Sequence, residues 1–304
     1  MTTPPPVYSV IVPTYQRSAS LARCLDAIGA QTIGRDRFEV IVVDDGSTDS
    51  PRNVVARAAS SIAVRLIEQA NAGPASARNT GARAARGAYV VFTDDDCLPD
   101  PGWLAAIDAA VVRQPGCAIG GRVVNALGDG LYSTASQLLI EFLYEYFNAD
   151  ESEGRFFITS NLALPTDSFH RIGGFDVTFP LAAAEDRDLC DRWREAGLAM
   201  VYCDDAIVHH AHALGLASFC RQHFNYGRGA FHLHLARARR GEKPLRVEPP
   251  QFYRRLVGYP FVRGQGTRAA ALSALMALSQ GVYVSGYLSE RVRSRAPSLA
   301  SARA

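Results

Sequence analysis

From residue 7 to about residue 124 the chain alternates short apolar, β-branched runs with amphipathic stretches, and this alternation limits the possible folds more than any other feature. Tyr8–Pro13 reads as a buried strand. Leu21, Cys24, Leu25 and Ile28 then fall on one face of a helix that Ser18 or Ser20 can cap. Further strands are expected at Phe38–Val43, Ile62–Ile67, Tyr89–Thr93 and Cys117–Val124. Helices are expected between them, at about 50–60, Pro74–Arg86 and Pro101–Arg113. Such a sequence builds a parallel sheet with helices on both faces. Open sheets of this class take their ligands at the carboxyl ends of the strands. Thr14–Arg17, Asp44–Asp45 and Asp94–Asp96 all sit at such ends, so polar groups from three strands converge on one edge.

The remainder is less regular. Leu131–Phe147 is aromatic-rich and reads as a helix, Phe156–Leu164 as a strand and His170–Asp176 as a turn with two glycines. A helix at Glu185–Ala196, stopped by Gly197, precedes a strand at Ala199–Cys203. With 304 residues, 48% of them apolar, the chain can bury a large core in one domain or two lobes. The expected division is 1–215 as an α/β domain (7–124 and 125–215 as its halves), 216–295 as a basic helical region and 296–304 as a disordered tail.

Several function classes fall away. The only lysine, Lys243, lies between Glu242 and Pro244, so no phosphate-binding Gly-Lys-Ser/Thr loop exists and a Schiff-base lysine is improbable. No GxGxxG follows the first strand, which disfavours a dinucleotide-binding enzyme, and no GxSxG elbow supports a hydrolase triad. Six cysteines (24, 97, 117, 190, 203 and 220) are scattered without a CxxC pair and read as buried thiols. Met1–Pro6 carries no positive charge and the apolar run behind it is short, so the reading is cytoplasmic.

Charge is unevenly spread. Residues 1–205 hold 27 acids and 17 bases; residues 206–304 hold 3 acids and 15 bases. The basic region implies an anionic partner: phosphate, nucleic acid or an anionic membrane surface. Phe219–Arg240 is an arginine-rich helix, Glu248-Pro-Pro250 a break, and Ala269–Leu288 twenty residues without a charge, flanked by arginines. That last segment suits either a helix packed on the catalytic lobe or one lying on an anionic membrane.

Three acidic or imidazole clusters carry the candidate chemistry. Asp94-Asp95-Asp96 follows a buried strand, and three adjacent carboxylates repel unless a cation sits among them. A solvated acidic turn would give the same letters, but the apolar strand anchors this one in the core. Oxygen ligands of this kind suit Mg²⁺ or Mn²⁺ bridging to substrate phosphates. Glu185-Asp186 opens a helix, where acids are favourable for dipole reasons alone, yet a general base is also needed near a metal-bound diphosphate. His209, His210 and His212 form a histidine cluster. A structural zinc site with Cys203 and Cys220 fits no standard spacing, and one histidine as an extra ligand of a catalytic metal is the better reading.

In order and spacing these pieces resemble the family 2 glycosyltransferases of the GT-A fold, over about residues 7–230. The motifs are Val10-Ile-Val-Pro-Thr-Tyr-Gln-Arg17, Val40-Ile-Val-Val-Asp-Asp-Gly-Ser-Thr-Asp49 and Gly73-Pro-Ala-Ser-Ala-Arg-Asn79. They continue with Ala85-Arg-Gly87, Phe92-Thr-Asp-Asp-Asp96, Ile172-Gly-Gly-Phe-Asp176, Glu185-Asp186 and Val208-His-His-Ala-His212. The resemblance implies that Pro13, Thr14, Tyr15 and Arg17 line a nucleotide pocket, that Asp44 binds the base and that Arg78 contacts the nucleotide. It implies Asp95 at the ribose, Asp96 on the metal with Asp94 supporting, and His210 as the late metal ligand, with His209 and His212 as alternatives. Asp186 would be the base that deprotonates the acceptor, Glu185 would position acceptor or base, and Asn161 would lie near the donor sugar or diphosphate. The implied activity is metal-dependent, inverting transfer from a nucleotide-diphospho-sugar, a UDP-sugar favoured, to a glycan, lipid-linked or small-molecule acceptor. Processive members carry several membrane-spanning helices; this chain has at most one candidate, so a single-transfer enzyme is expected.

Two rivals remain open on the residues alone. Asp94-x-Asp96 after a strand resembles the haloacid-dehalogenase nucleophile motif, but Lys243 is a poor candidate for the lysine that steadies phosphate there and Cys97-Leu98 departs from the pattern. A nucleic-acid binder could use the basic region, but lacks a recognition motif and leaves the acidic strand ends unexplained.

Overall fold

The computed structural model describes residues 5–128, 130–149, 154–180, 183–242 and 247–295. Lys243 and the tail expected at 296–304 lie outside the described residues. The chain divides into two compact units. The first draws on Met1–Gly128, Ile140–Thr178 and Glu185–Ala213, the second on Asp129–Leu139, Phe179–Ala184 and Leu214–Ala304.

The first unit is built on one eight-stranded sheet. Its strands are β1 (Tyr8–Thr14), β2 (Phe38–Asp44), β3 (Val64–Glu68), β4 (Tyr89–Phe92), β5 (Cys97–Pro99), β6 (Ala118–Asn125), β7 (Leu162–Pro165) and β8 (Met200–His210), in the order β3-β2-β1-β4-β7-β6-β8-β5. The pairs β1/β2, β1/β4, β2/β3 and β6/β8 are parallel; β7 runs antiparallel to β4 and β6, and β5 antiparallel to β8. Between the strands run α1 (Ser18–Gly29), α2 (Pro51–Ala58), α3 (Pro74–Ala84) and α4 (Trp103–Arg113). The expected mixed α/β architecture, mostly parallel with helices around it, is therefore what forms.

Every residue of β1 and β2 is buried, as a strand covered on both faces requires. Side chains alternate between two cores. Tyr8, Val10 and Val12 join Leu21, Leu25, Trp103 and Ile107 in one; Ile11, Val43, Phe92, Phe169 and Trp193 share the other. The register sets Thr14 beside Asp44, so the polar residues that end β1 and β2 arrive together.

Three expectations are corrected. Neither Ser18 nor Ser20 caps α1: Arg17 holds the N-cap position without a side-chain bond, and the Ser18 N–H donates to Asp49 Oδ2 at 2.7 Å. Of the strand expected at Phe156–Leu164, only the stretch from Leu162 pairs, and Thr159–Asn161 forms a 3₁₀ turn. The reason is that side chains of α5 (Leu131–Phe147) and the residue after it take the backbone bonds a neighbouring strand would have taken. Asn148 Oδ1 accepts the N–H of Arg155 and Phe156, its Nδ2 donates to Phe156 O, and Tyr144 Oη accepts the Ile158 N–H. The strand expected to stop at Cys203 runs on to His210 through a register shift opposite Gly121/Arg122. The exposed Asp204 and Asp205 that interrupt its apolar pattern sit at that irregularity.

The second unit holds the N-terminal part of α5 with α8 (Leu216–Arg239), α9 (Pro250–Val262) and α10 (Ala269–Arg295). Residues 130–139, 179–180 and 183–184 join it because they pack on α8: Ser133 Oγ accepts the Leu214 N–H, Gln222 Nε2 donates to Ser136 Oγ, and a Cβ on Gly229 would lie 2.3 Å from Ala183 O. α8 and α10 approach to backbone contact. A Cβ on Gly227 would fall 1.8 Å from Tyr283 O, and one on Gly286 2.0 Å from Phe224 O.

One buried charge ties β1, β2 and the turn into β4. Glu39 is 2% exposed and accepts bonds from Ser9 Oγ, Arg86 N and Arg86 Nε at 2.8–2.9 Å. Burial would raise its pKa, but the Arg86 and Ser9 bonds and the Arg65 charge outweigh burial and hold it below the usual value. The stabilisation is therefore complete above the unfolded pKa of about 4.3 and is lost as pH falls through the lower folded value. Glu39→Ala is expected to cost about 1–3 kcal/mol at neutral pH, measured by urea unfolding, and to leave stability less sensitive to acid.

Candidate functional site

The site is assembled within the first unit, at the carboxyl ends of β1, β2 and β4. Thr14 Oγ1 donates to Asp95 Oδ2 at 2.7 Å. Arg17 Nη1 reaches Asp95 Oδ1 at 3.3 Å and Asp96 Oδ2 at 3.0 Å. Gln16, between the exposed Tyr15 and Arg17, has φ 56°, a left-handed conformation that non-glycine residues rarely adopt outside constrained sites. Pro13 is buried in β1. Asp44 Oδ1 accepts the Ser47 N–H at 2.8 Å. Its neighbour Asp45 accepts bonds from Gln69 Nε2, Ala72 N and Gly73 N, and so fixes the loop into α3.

That loop aims α3, and α3 carries Arg78. The guanidinium is 5% exposed and donates from Nη2 to Asp94 Oδ1 at 2.8 Å and from Nη1 to Glu185 Oε1 at 3.0 Å. It also lies over the Phe175 ring at 5.6 Å. The next residue, Asn79, clasps the same turn: Nδ2 donates to Phe175 O and Oδ1 accepts the Phe175 N–H. Gly174 has φ 67°, and a Cβ there would lie 2.6 Å from Asn79 Oδ1, so the clasp needs a glycine. After the short α6 (Thr166–Arg171), α7 (Glu185–Glu195) completes the clamp. Arg192 pairs with the buried Asp188 at 2.7 Å and donates to Ile172 O and Gly174 O.

The resemblance implied a nucleotide contact for Arg78; the structure places its side chain between two carboxylates and a ring. Asn161 was implied to lie near the donor sugar or diphosphate. Its Oδ1 accepts the Trp103 indole N–H at 2.8 Å and its Nδ2 donates to Arg122 O and Ala206 O, so the buried amide is committed to joining α4, β6 and β8. A Cβ on Gly121 would lie 2.3 Å from that Nδ2. The sequence reading put Asp45 at a strand end and Asn79 in a motif without giving either a role, and it missed the supports Asp188 and Arg192. The i,i+4 spacing of Asp188 and Arg192 was the one available signal.

The short strand β5, also unforeseen, sets which histidines lie near the acidic triad. It pairs Cys97 with His210 and Leu98 with His209, bringing β8 alongside the acidic triad. His210 Nε2 lies 3.2 Å from Asp96 Oδ1 and His212 Nδ1 3.8 Å from Asp96 Oδ2. His209 instead faces Asp100 at 3.6 Å. Asp96, His210 and His212 offer three ligand atoms all within 4.8 Å of one another. A second such group is Asp94, Asp96 and Cys97. It is the poorer donor set, because burial raises the Cys97 thiol well above its ordinary pKa and Arg78 already pairs with Asp94. Among the described residues, no metal-ligating group includes Cys203 or Cys220.

The carboxylates are tuned apart. Burial pushes Asp95 up to about 6 against the Thr14 bond and the Arg17 charge. Burial acts on Asp96 too, but the His210 bond and charge, with Arg17 and His212, bring it down to about 2. Asp96 therefore stays anionic at any working pH. His210 is raised by its bond to Asp96 despite burial, while burial and the His210 charge lower His212. At the start of α7, burial raises both Glu185 and Asp186, and each raises the pair's cost of double ionisation; Arg78 partly offsets this for both. Asp186 is part-exposed and its Oδ1 accepts the Arg187 N–H.

Residues 9–175 match the family described as glycosyl transferase family 2. The chain belongs to that family. Its fold is similar to a mannosyltransferase of Pyrobaculum calidifontis described in complex with GDP-Man and Mn²⁺, at TM-score 0.62 and 24% identity over 96% of this chain and 84% of that one. It is also similar to residues 1–349 of S. aureus TarS in complex with UDP-GlcNAc, at TM-score 0.54 and 19% identity over 94% and 91%. These are GT-A folds, as expected. Validoxylamine A glucosyltransferase of Streptomyces hygroscopicus subsp. jinggangensis is 32% identical over 224 residues, 64% of this chain and 53% of the relative. Glycosyltransferase AglE of Haloferax volcanii is 29% identical over 232 residues, covering 75% and 74%. The chain thus spans about half the length of the first of these relatives. Family membership sets aside the phosphohydrolase and nucleic-acid readings, and Asp94, paired with a buried guanidinium, is poorly placed to attack phosphate.

Removing the guanidinium leaves two carboxylates facing one another without a cation. Arg78→Met is expected to cost about 3–5 kcal/mol by urea unfolding. Arg78→Lys is expected to recover only part of this, since an ammonium lacks the planar fork that spans both partners.

Proposed function

We propose that the protein is a metal-dependent, inverting glycosyltransferase that passes one sugar from a nucleoside-diphosphate donor, a UDP-sugar in the first instance, to a hydroxyl of a glycan or lipid-linked acceptor. One observation carries this reading. Arg78 binds the strand-end carboxylate Asp94 and the helix-end carboxylate Glu185 in one network, joining a diphosphate-binding edge to an acid–base pair ninety residues further on. Solved relatives described with GDP-Man and with UDP-GlcNAc support a sugar nucleotide as donor.

In this assignment Pro13, Thr14, Tyr15 and Arg17 line the nucleotide. Asp44 keeps Oδ1 on the Ser47 N–H and presents Oδ2 to an N–H of the base. Asp95, already oriented by Thr14 and Arg17, accepts from the ribose hydroxyls. Asp96, His210 and His212 would hold the divalent ion, and the donor chemistry fits one: an anionic carboxylate with two imidazoles within reach of a common point. Nitrogen donors weigh towards Mn²⁺ over the oxygen-seeking Mg²⁺. Such an ion supplies charge neutralisation to the departing diphosphate.

Asp186 acts on the acceptor. It takes the hydroxyl proton as the oxygen attacks the anomeric carbon; the bond to the diphosphate oxygen breaks, its electron pair leaves on the diphosphate, and the configuration inverts. Burial beside Glu185 raises the Asp186 pKa and makes it a stronger base near neutrality than an exposed carboxylate. Glu185, held by Arg78, fixes the start of α7 and so the position of its neighbour.

Asp186→Asn should lower kcat by about 10²–10⁴ while leaving donor binding in place. A base must be deprotonated, so wild-type turnover should fall as pH drops through a value above the ordinary carboxylate range, and this limb should vanish in the variant. NMR of the first-formed product should show the anomer opposite to the donor's; a product of the same anomeric configuration, or full turnover by Asp186→Asn, would rule the assignment out.

A further inference from the structure

The second unit carries a surface that the transfer reaction does not use. α10 buries one side, with Leu272, Met276 and Ser279 inward and Gly286 against the α8 backbone. Its other side is open. Leu278, Gly281, Val284, Leu288 and Val292 are exposed and spaced three or four apart, so they fall within an arc of about 120°. With Ala274 on the same arc, Ala271 at its edge and Ser285 a polar member within it, the stripe is about 30 Å long. At the turn between α9 and α10, Phe261 and Val262 are also exposed. Arginines bracket the stripe, Arg263 and Arg268 before it and Arg291 and Arg293 behind it.

We infer that this face of the α9–α10 hairpin docks on an anionic lipid bilayer, with α10 lying in the plane of the surface. Three observations select that occupant. The region from residue 206 onward carries 15 bases and 3 acids, which calls for an anionic partner. A second copy would set two basic faces together, and the one acid of α10, Glu290, is already engaged by Arg228 at 2.6 Å and His232 at 3.2 Å. Nucleic acid would satisfy the arginines but offers nothing to the leucine and valine stripe between them. By length and composition Gly266–Ser294 could cross a membrane. Crossing would strip α10 from α8 and forfeit the backbone-close packing at Gly227 and Gly286, whereas lying flat keeps that packing and buries only the open side. The inference stands independently of the donor assignment.

The test is vesicle co-sedimentation of the full chain, without nucleotide, on phosphatidylcholine alone and on phosphatidylcholine with roughly one-third phosphatidylglycerol. Wild type should bind the anionic vesicles and release with salt. Two double variants confined to exposed positions, Leu278→Asp with Leu288→Asp and Arg291→Glu with Arg293→Glu, should each weaken binding about tenfold or more, with unchanged circular dichroism and melting. Absence of wild-type binding at low salt would overturn the inference. So would binding that the charge variant abolishes and the apolar variant leaves intact, since any basic protein adsorbs in that way. A wild-type dimer in sedimentation velocity that Leu278→Asp with Leu288→Asp dissociates would assign the face to a second copy instead.

Discussion

The site depends on a single buried guanidinium. A carboxylate removed from water is costly unless a cation and hydrogen bonds compensate it. Here Asp94, Asp95, Asp96, Glu185 and Asp186 gather in one region of one unit, and a fold that did nothing about their repulsion would not close around them. Arg78 satisfies one carboxylate from each group with the two arms of its planar fork. Its own place is set by the loop that Asp45 fixes, and its neighbour Asn79 fastens the Phe175 turn. The strand-end and helix-start carboxylates are thereby positioned by the same turn of helix.

The remaining charges are handled locally, and each solution suits a different task in the proposed mechanism. Arg17 and two imidazoles keep Asp96 anionic, as a metal ligand requires. Burial raises Asp95, which suits a group that meets neutral hydroxyls. Asp186, raised by burial and by Glu185, is the group whose proton affinity approaches neutrality. In the proposed mechanism one cluster of acids divides into an anion, a hydrogen-bonding group and a base through environment alone.

Much of this was legible in the sequence. Long buried strands such as Val40–Val43 and the periodic helix through Leu21 and Ile28 declare themselves because their burial pattern is local. The acidic strand ends were legible for the same reason. What could not be read depends on partners distant in the chain. The expected strand at Phe156 became an irregular segment because Asn148 and Tyr144 meet its backbone, and no local pattern reports that. β5 is three residues long, too short for any period, yet it selects His210 and His212 over His209. Arg78 and Asn161 were given ligand-facing roles by similarity, and only the structure shows their side chains buried and bonded to protein groups.

The most direct measurement is calorimetric titration of UDP, GDP and dTDP into the protein with and without Mn²⁺, repeated on Asp96→Ala. The assignment predicts Mn²⁺-dependent binding of one nucleoside diphosphate, UDP first, that disappears in the variant. No binding of any of the three to folded protein with metal, or binding that Asp96→Ala leaves unchanged, would contradict it.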